Sequence, residues 1–427
     1  MISPHVEALG YKQHDCPEIF KFYFKQKKDY LGNQYLDLLQ NLVRPRLKIA
    51  IVTETWAPEI NGVALSLLQL CKGLQKLGHK ILLIRPEQKN KCSEFKPNKE
   101  CLIKAQTIPK YPDMQFGWPQ YLKVSQAISD FSPNVVHIVT EGPLGFTALH
   151  AARSKHIPVS SGFHSPFQEF SRFFDLAFLV KPIQKYLRWF HNNTQLTCVP
   201  SVDTERALRQ FGVTCPLVVV GRGIDTEKFS AQYRSEHLRK LWGADTDTTV
   251  MLYVGRVSPE KEIGVLIDTF ALQNKDQKKV KLVIVGDGPD RVYLEKKQGA
   301  DQVIFMGSLN GKELSEAYAS ADVFVFASQV ETFGNVVLEA MASGLPIIAY
   351  NYACAQLHVK QQVSGWLSPL GQVEQFIQTI LDLPNNMTLH RMGQRAMQDV
   401  QDIGWKHPVQ QLEQAFYQVA QETYMVT

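Results

Sequence analysis

Two glutamates stand eight positions apart in ETFGNVVLEAMASGLPIIA, residues 331–349, where Glu331 and Glu339 bracket a Phe333-Gly334 pair and then a run of small residues. A glycosidase also needs two carboxylates, but it sets them across the scissile bond, usually from different strands or loops. Carboxylates on one loop and its following helix suit another task. Each can accept paired hydrogen bonds from vicinal hydroxyls, such as those of a hexose or a ribose. Phe333 and Gly334 would add backbone N–H groups at the helix start, where the helix dipole favours anions. Acids beside such donors suit a ligand rich in hydroxyls and phosphates.

Three further loops carry matching chemistry. LYVGRVSPEKEIGVLIDTF ends a strand pattern at Gly255-Arg256 and places Lys261 five residues on. The planar fork of Arg256 and the point charge of Lys261 can grip a diphosphate and neutralise it as it leaves. Solvated surface cations explain the pair as well. TWAPEINGVALSLLQL sets Asn61-Gly62 before a helix pattern, a phosphate-friendly place that lacks both the dinucleotide fingerprint and the P-loop lysine. A tight turn alone would also account for Gly62. In SSGFHSPFQEF, His164 follows a strand end and could face the same side, although a single histidine is more often structural, and in VTEGPLGF Glu141 at another strand end is a candidate acceptor-side contact. Asp245 and Asp247 resemble a metal-binding Asp-x-Asp but precede a strand, at the wrong end for a ligand, and read better as a polar turn. No metal site is expected.

These loops need strands to present them. LKIAIVTE is a continuous apolar run, and after a helix pattern ending at Gly78, KILLIRP is the next. NVVHIVTE, IPVSSGFH, LTCVPS and PLVVVGRG continue the series; TTVMLYVGR, KVKLVIVGDG, QVIFMGS, ADVFVFAS and LPIIAYN form a second. Strands alternating with helices give parallel sheets, and two such series predict an α/β chain of two Rossmann-like, doubly wound domains facing across a cleft. A prior of roughly 100 to 200 residues per domain agrees with two domains in 427 residues. The expected division is an extension over 1–45, a first domain over 46–213, a second over 214–404, and a closing segment, 405–427.

Composition narrows the class. With 44% hydrophobic and 20% charged residues, and no apolar run long enough to cross a bilayer, the chain reads as globular. Its first residues are polar and acidic where a secretory signal needs a basic start and an apolar stretch, so a cytoplasmic protein is expected. Seven cysteines without a C-x-x-C pair suggest neither a disulfide framework nor a zinc knuckle. Charge is uneven: residues 1–200 hold 25 Lys/Arg against 15 Asp/Glu, and the rest hold 21 against 26. A basic first half suits an anionic surface, nucleic acid or lipid, although nucleic-acid binding has no motif support beyond this asymmetry, and surface variation without a partner explains it as well. SRFFDLAFLVKPIQKYLRWFHNN mixes aromatics with lysine and arginine as an interfacial surface would, or as a partly buried helix would.

NGV, TEGPLG, FHS, LRWFHNNTQLTCVPS, GRGIDTEKF, VGRVSPEKEIGVLI and ETFGNVVLEAMASGLPIIA, in this order from about residue 47 onward, resemble the retaining glycosyltransferases of family 4. The resemblance implies a GT-B fold in which the first domain binds the acceptor, the second binds a nucleotide sugar, and the last helix, within 405–427, returns to the first domain. It implies no cofactor and no metal, with the nucleotide sugar as co-substrate. Arg256 and Lys261 would contact the diphosphate, with Gly62 approaching it from the other domain. Glu331, Phe333, Gly334 and Asn335 would bind the donor, Glu339 its ribose, and His164 would lie near the transferred sugar. His164, Glu331, Arg256 and Lys261 are thus the expected catalytic set.

TEGPLG and LRWFHN look most like bacterial α-mannosyltransferases that use GDP-mannose, and like relatives that build glycolipids from UDP-sugars. The expected reaction moves a hexose to a lipid or saccharide hydroxyl, at an anionic membrane face. Readings left open are a UDP-sugar glycolipid synthase, a sugar-nucleotide epimerase of the same fold, and a non-catalytic sugar-nucleotide binder. Two departures stand out: NYACAQLHVKQQVSGWL lacks the Gly-Gly-Pro-x-Glu of many relatives, and residues 1–45 have no recognised counterpart.

Overall fold

The computed structural model describes residues 45–59, 61–88, 94–108, 111–164, 180–275 and 279–424. The extension over 1–44 and the 165–179 half of the aromatic-basic segment lie outside the described residues.

Seven parallel strands form the first sheet: β1 (Lys48–Val52), β2 (Lys80–Pro86), β3 (Lys99–Ile103), β6 (Val135–Ile138), β7 (Val159–Gly162), β8 (Leu196–Val199) and β9 (Leu217–Val219). Between β3 and β6 the chain makes an antiparallel ribbon of β4 (Ala105–Ile108) and β5 (Tyr111–Gly117). Spatial order is β3-β2-β1-β6-β7-β8-β9, so the winding reverses between β1 and β6. The sheet takes in Leu217–Val219 and therefore runs past residue 213, where the sequence placed the division. PLVVVG reads the same whichever sheet it joins, and pairing of Thr197 with Leu217 decides the matter.

Alternation along β1 explains its burial on both faces. Ile49 and Ile51 pack with Leu67, Leu74 and Phe416 on one face, and Ala50 and Val52 pack with Ile128 and Leu144 on the other. Each fully buried branched side chain contributes about 1.5–3 kcal/mol. Phe416 belongs to the final helix, Lys406–Tyr424, which lies on the first sheet beside the Gly62–Lys76 helix. A buried polar clip fastens it. His79 Nδ1 accepts the Leu47 N–H at 3.0 Å, so Nε2 carries the hydrogen that points at Glu413 Oε1, 2.8 Å away.

Six parallel strands form the second sheet: β10 (Thr249–Val254), β11 (Val280–Val285), β12 (Ile304–Gly307), β13 (Val323–Phe326), β14 (Ile347–Tyr350) and β15 (Gly365–Ser368). Their order is β12-β11-β10-β13-β14-β15, which puts the reversal between β10 and β13. Ligands in open α/β sheets sit beyond the strand ends at such a reversal. The Arg256–Lys261 loop follows β10 and the Glu331 loop follows β13, so topology alone brings them side by side.

The chain passes between the domains twice, at one place. Ile224 N–H donates to Ile403 O at 2.8 Å, and a Cβ on Gly223 would lie 2.6 Å from the backbone at Gly404 and Trp405. Only glycine permits that approach.

Candidate functional site

Lys261 ends a single 3₁₀ turn, Pro259–Lys261, ahead of the Ile263–Lys275 helix. Its Nζ lies 2.6 Å from Glu331 Oε1 and 3.2 Å from Val330 O, and both side chains of the pair are mostly buried. The Glu331 loop is braced further. Tyr352 OH donates to Ser328 O at 3.0 Å, Gln329 Nε2 to Glu262 Oε2 at 2.8 Å, and Cys354 N–H to Phe333 O at 2.8 Å. Fixed donors and acceptors of this kind cost no reorganisation when a ligand arrives. Arg256, by contrast, is exposed, and among the described residues no hydrogen bond or ion pair occupies its guanidinium.

Gly334 caps the Asn335–Ala342 helix with φ 90°, a left-handed conformation that favours glycine. The Phe333 side chain is buried in the second core, so only its backbone is available to a ligand. Glu339 lies one turn along the helix, half-buried, with Oε2 accepting from Tyr318 OH at 2.9 Å. Burial pushes its carboxyl above the usual range, opposed by the Tyr318 bond and by the Lys228 charge.

The domains touch at the mouth of this site. Asn335 Nδ2 donates to Ser66 Oγ at 3.0 Å, and a Cβ on Gly62 would lie 4.0 Å from the same Nδ2. Asn335 Oδ1 is buried without a hydrogen-bond partner. Gly62 is the first residue of its helix, capped by Asn61, whose side chain accepts from Ala64 N at 2.8 Å. Two helix starts thus meet across the cleft, and their dipoles both favour an anion between them.

His164, just after β7, lines a cavity under that contact together with Val63, Ser66, His137, Arg222 and Leu412. Arg222 Nη2 lies 3.1 Å from His164 Nδ1, while its Nη1 donates to the Val220 and Gly221 carbonyls. Burial, then the Arg222 charge, then His137 and His191 hold the His164 imidazole well below the ordinary histidine range. Burial pushes His137 down to about 3 and Arg222 down to about 10.

The donor-side residues expected from sequence therefore converge, and His164 joins them through the cavity beneath the Ser66–Asn335 contact. Glu141 does not reach the cleft as expected of an acceptor contact. It is buried, with Oε1 3.2 Å from His191 Nε2, just ahead of the Pro143–Arg153 helix. Asp245 and Asp247 lie in a surface turn, 3.3 and 3.8 Å from Lys279. Among the described residues no cluster of three His, Cys, Asp or Glu could hold a metal ion.

Sequence reading missed Ser66, Arg222 and Glu54. Ser66 and Glu54 gave no signal, since a serine inside an amphipathic helix and a glutamate at a strand end are ordinary. Arg222 did: a cation between two glycines after an apolar strand pattern is placed where ligands bind. Glu54 is half-buried, with Oε1 accepting Leu144 N–H at 2.8 Å. Burial raises it to about 7, against the pull of that N–H and helped by nearby Glu141.

Two Rossmann-like sheets facing each other, with cations, carboxylates and paired helix starts in the cleft, define a GT-B glycosyltransferase that uses a nucleotide sugar. The chain belongs to that class by family: residues 60–228 match Glycosyltransferase Family 4, and residues 234–399 match Glycosyl transferases group 1. A GDP-mannose-dependent alpha-mannosyltransferase of Mycobacterium tuberculosis is 32% identical over 77% of this chain and 85% of its own. An alpha-monoglucosyldiacylglycerol synthase of Streptococcus pneumoniae is 30% identical over 71% of each. Among solved structures, sucrose-phosphate synthase from Thermosynechococcus elongatus superposes with a TM-score of 0.71 at 20% identity, covering 88% of this chain and 99% of that one. Anabaena HepE in complex with UDP-glucose does so at 0.66 and 20%, covering 87% and 100%.

No helix among the described residues is long and apolar enough to cross a membrane.

Proposed function

We propose that the protein transfers a hexose, with retention of anomeric configuration and without a metal ion, from a nucleotide sugar to a hydroxyl of a lipid or saccharide. GDP-mannose is the donor favoured by kinship, since three relatives at 28 to 33% identity are named for it. The observation that carries the reading is the Lys261–Glu331 pair beside the Gly334–Asn335 helix start, facing Gly62 and Ser66. In this reading Arg256 and Lys261 neutralise the departing diphosphate, and the two helix starts supply N–H groups to it. Glu331 and the Phe333 and Gly334 backbone hold the sugar hydroxyls, with Asn335 beside them. Glu339 takes the ribose, and His164 meets the sugar from the first domain. The acceptor attacks on the face the leaving group departs from, and a donor phosphate oxygen takes its proton, so no nucleophilic side chain is needed.

A glycolipid synthase using a UDP-sugar is the second reading, supported by kinship to glucosyldiacylglycerol synthases. For either, the acceptor domain would meet an anionic membrane. The Val180–Asn192 helix buries Leu187 and Phe190 and exposes Lys181, Lys185, Arg188 and Trp189, an arrangement suited to a lipid surface.

Purified protein would be screened by thermal shift and donor hydrolysis against GDP-mannose, UDP-glucose, UDP-galactose and UDP-N-acetylglucosamine, with EDTA throughout. Stabilisation by one donor with slow nucleotide release is expected. Activity that EDTA abolishes would remove the metal-free mechanism, and conversion of the sugar without nucleotide release would indicate an epimerase.

A further inference from the structure

Arg222 is an unusual cation for its place. It is 8% exposed, yet among the described residues no carboxylate pairs with it. Buried guanidinium groups ordinarily sit against an acid. Here Nη1 is held by two carbonyls of its own loop, at 3.1 Å to Val220 O and 3.2 Å to Gly221 O. That grip aims Nη2 at a single acceptor, His164 Nδ1, 3.1 Å away.

An arginine N–H can only donate, so the Nδ1 that receives it must present a lone pair. A neutral imidazole then carries its hydrogen on Nε2, and protonating Nδ1 would set two donors against each other. A Cβ on Gly162 would lie 2.7 Å from His164 Nε2, so the glycine clears the space in which that nitrogen sits.

We propose that Arg222 is a positioning residue that locks His164 as a neutral imidazole with its hydrogen on Nε2, making it a hydrogen-bond donor to an oxygen of the transferred sugar and not a base. The role toward the sugar rests on the transferase reading above; the lock itself does not. The other titratable groups facing His164 are His137 from β6 and His191 from the Val180–Asn192 helix, the latter paired with Glu141 at 3.2 Å. His137 Nδ1 is engaged with Ser160 Oγ at 3.0 Å, and among the described residues Arg222 is the group hydrogen-bonded to the His164 ring. One consequence concerns rate. A neutral donor that does not titrate gives transfer no acid limb from His164 across the ordinary histidine range.

The test is NMR of the full chain with ¹⁵N-labelled histidine, the His164 signals being assigned by their loss in His164→Gln. In the wild type, His164 is expected neutral and Nε2-protonated from pH 5.5 to 8. In Arg222→Met it should sample both tautomers and its titration should rise by about 1 pH unit or more, whereas Arg222→Lys, which keeps one donor, should retain much of the wild-type tautomer. Hydrolysis of the best donor should gain a matching acid limb in Arg222→Met alone. A wild-type His164 protonated on Nδ1 overturns the proposal, and so does an Arg222→Met spectrum unchanged from wild type. If Arg222→Met does not fold, the wild-type tautomer decides. Silence of the His164 signals toward every donor, with the tautomer as stated, counts against the transferase reading and leaves the lock supported.

Discussion

Lys261 Nζ and Glu331 Oε1 lie 2.6 Å apart, so the cation assigned to the diphosphate and the carboxylate assigned to the sugar already hold each other. Each is oriented before a donor binds. In the proposed reading a donor would exchange that one contact for two, phosphate to Lys261 and hydroxyls to Glu331.

Glu331→Ala should therefore lower kcat by about 10²–10³-fold while the protein remains folded, as should Lys261→Ala. The double variant should be little worse than either single one, because the residues act as a unit. Single-turnover transfer by the three variants checks this. Near-wild-type transfer by Glu331→Ala removes the residue from the mechanism, and additive losses remove the unit.

Arg256 is exposed and its guanidinium makes no hydrogen bond or ion pair among the described residues, while its carbonyl, which accepts from Tyr253 OH, survives substitution, so Arg256→Ala should leave the melting temperature nearly unchanged. Loss of a charge-assisted hydrogen bond, about 1.5–3 kcal/mol, corresponds to donor affinity weaker by about 10- to 150-fold. Calorimetric titration with the best donor measures it. Unchanged affinity would place Arg256 outside the diphosphate site.

Sequence and structure agree most closely where pattern alone decides. KILLIRP is β2 to the residue, and the helix foreseen to start at Phe333 and Gly334 runs Asn335–Ala342. β3 and the β4–β5 ribbon went unseen because KECLI and its successors mix charged and apolar residues without a clean period. Within the site, Glu331, Lys261 and Gly334 were legible because loops after strands are few and their chemistry is unusual. The contacts Arg222–His164 and Asn335–Ser66 join residues 58 and 269 positions apart. Such partners depend on how the sheets are wound and how the domains meet, and local pattern does not carry them.

Glu54 offers a pH signature. Its folded carboxyl sits at about 7 against an ordinary 4.5, so the folded protein keeps a proton that the unfolded chain gives up. Its contribution to stability is complete below 4.5 and is lost as pH rises through about 7. Glu54→Gln should flatten the stability profile across that window and melt higher than wild type at pH 8. Denaturant titrations at stepped pH decide it, and parallel profiles for the two proteins would sink the assignment.

Gly223→Ala should destabilise by about 1–3 kcal/mol, the usual cost of forcing atoms into a packed place, because its Cβ would meet the backbone of Gly404 and Trp405. The same wedge should alter donor affinity although it lies outside the donor loops. Denaturant midpoints and a donor titration of the variant test both effects together, and a variant matching wild type in both contradicts the observed approach.

Sedimentation with vesicles addresses the membrane surface. Protein should pellet with vesicles containing phosphatidylglycerol and stay in solution with pure phosphatidylcholine, and Lys181→Glu with Arg188→Glu should abolish the difference. Equal behaviour with both lipids argues against an anionic docking face.

The two crossings that touch at Gly223 and Gly404 make one pivot. Two halves whose chain crossings share a single spot can swing about it but cannot slide past each other, so movement must grow with distance from the pivot. Ser66, which meets Asn335, lines the same cavity as Arg222 and so lies near the pivot, where a swing moves the two halves least.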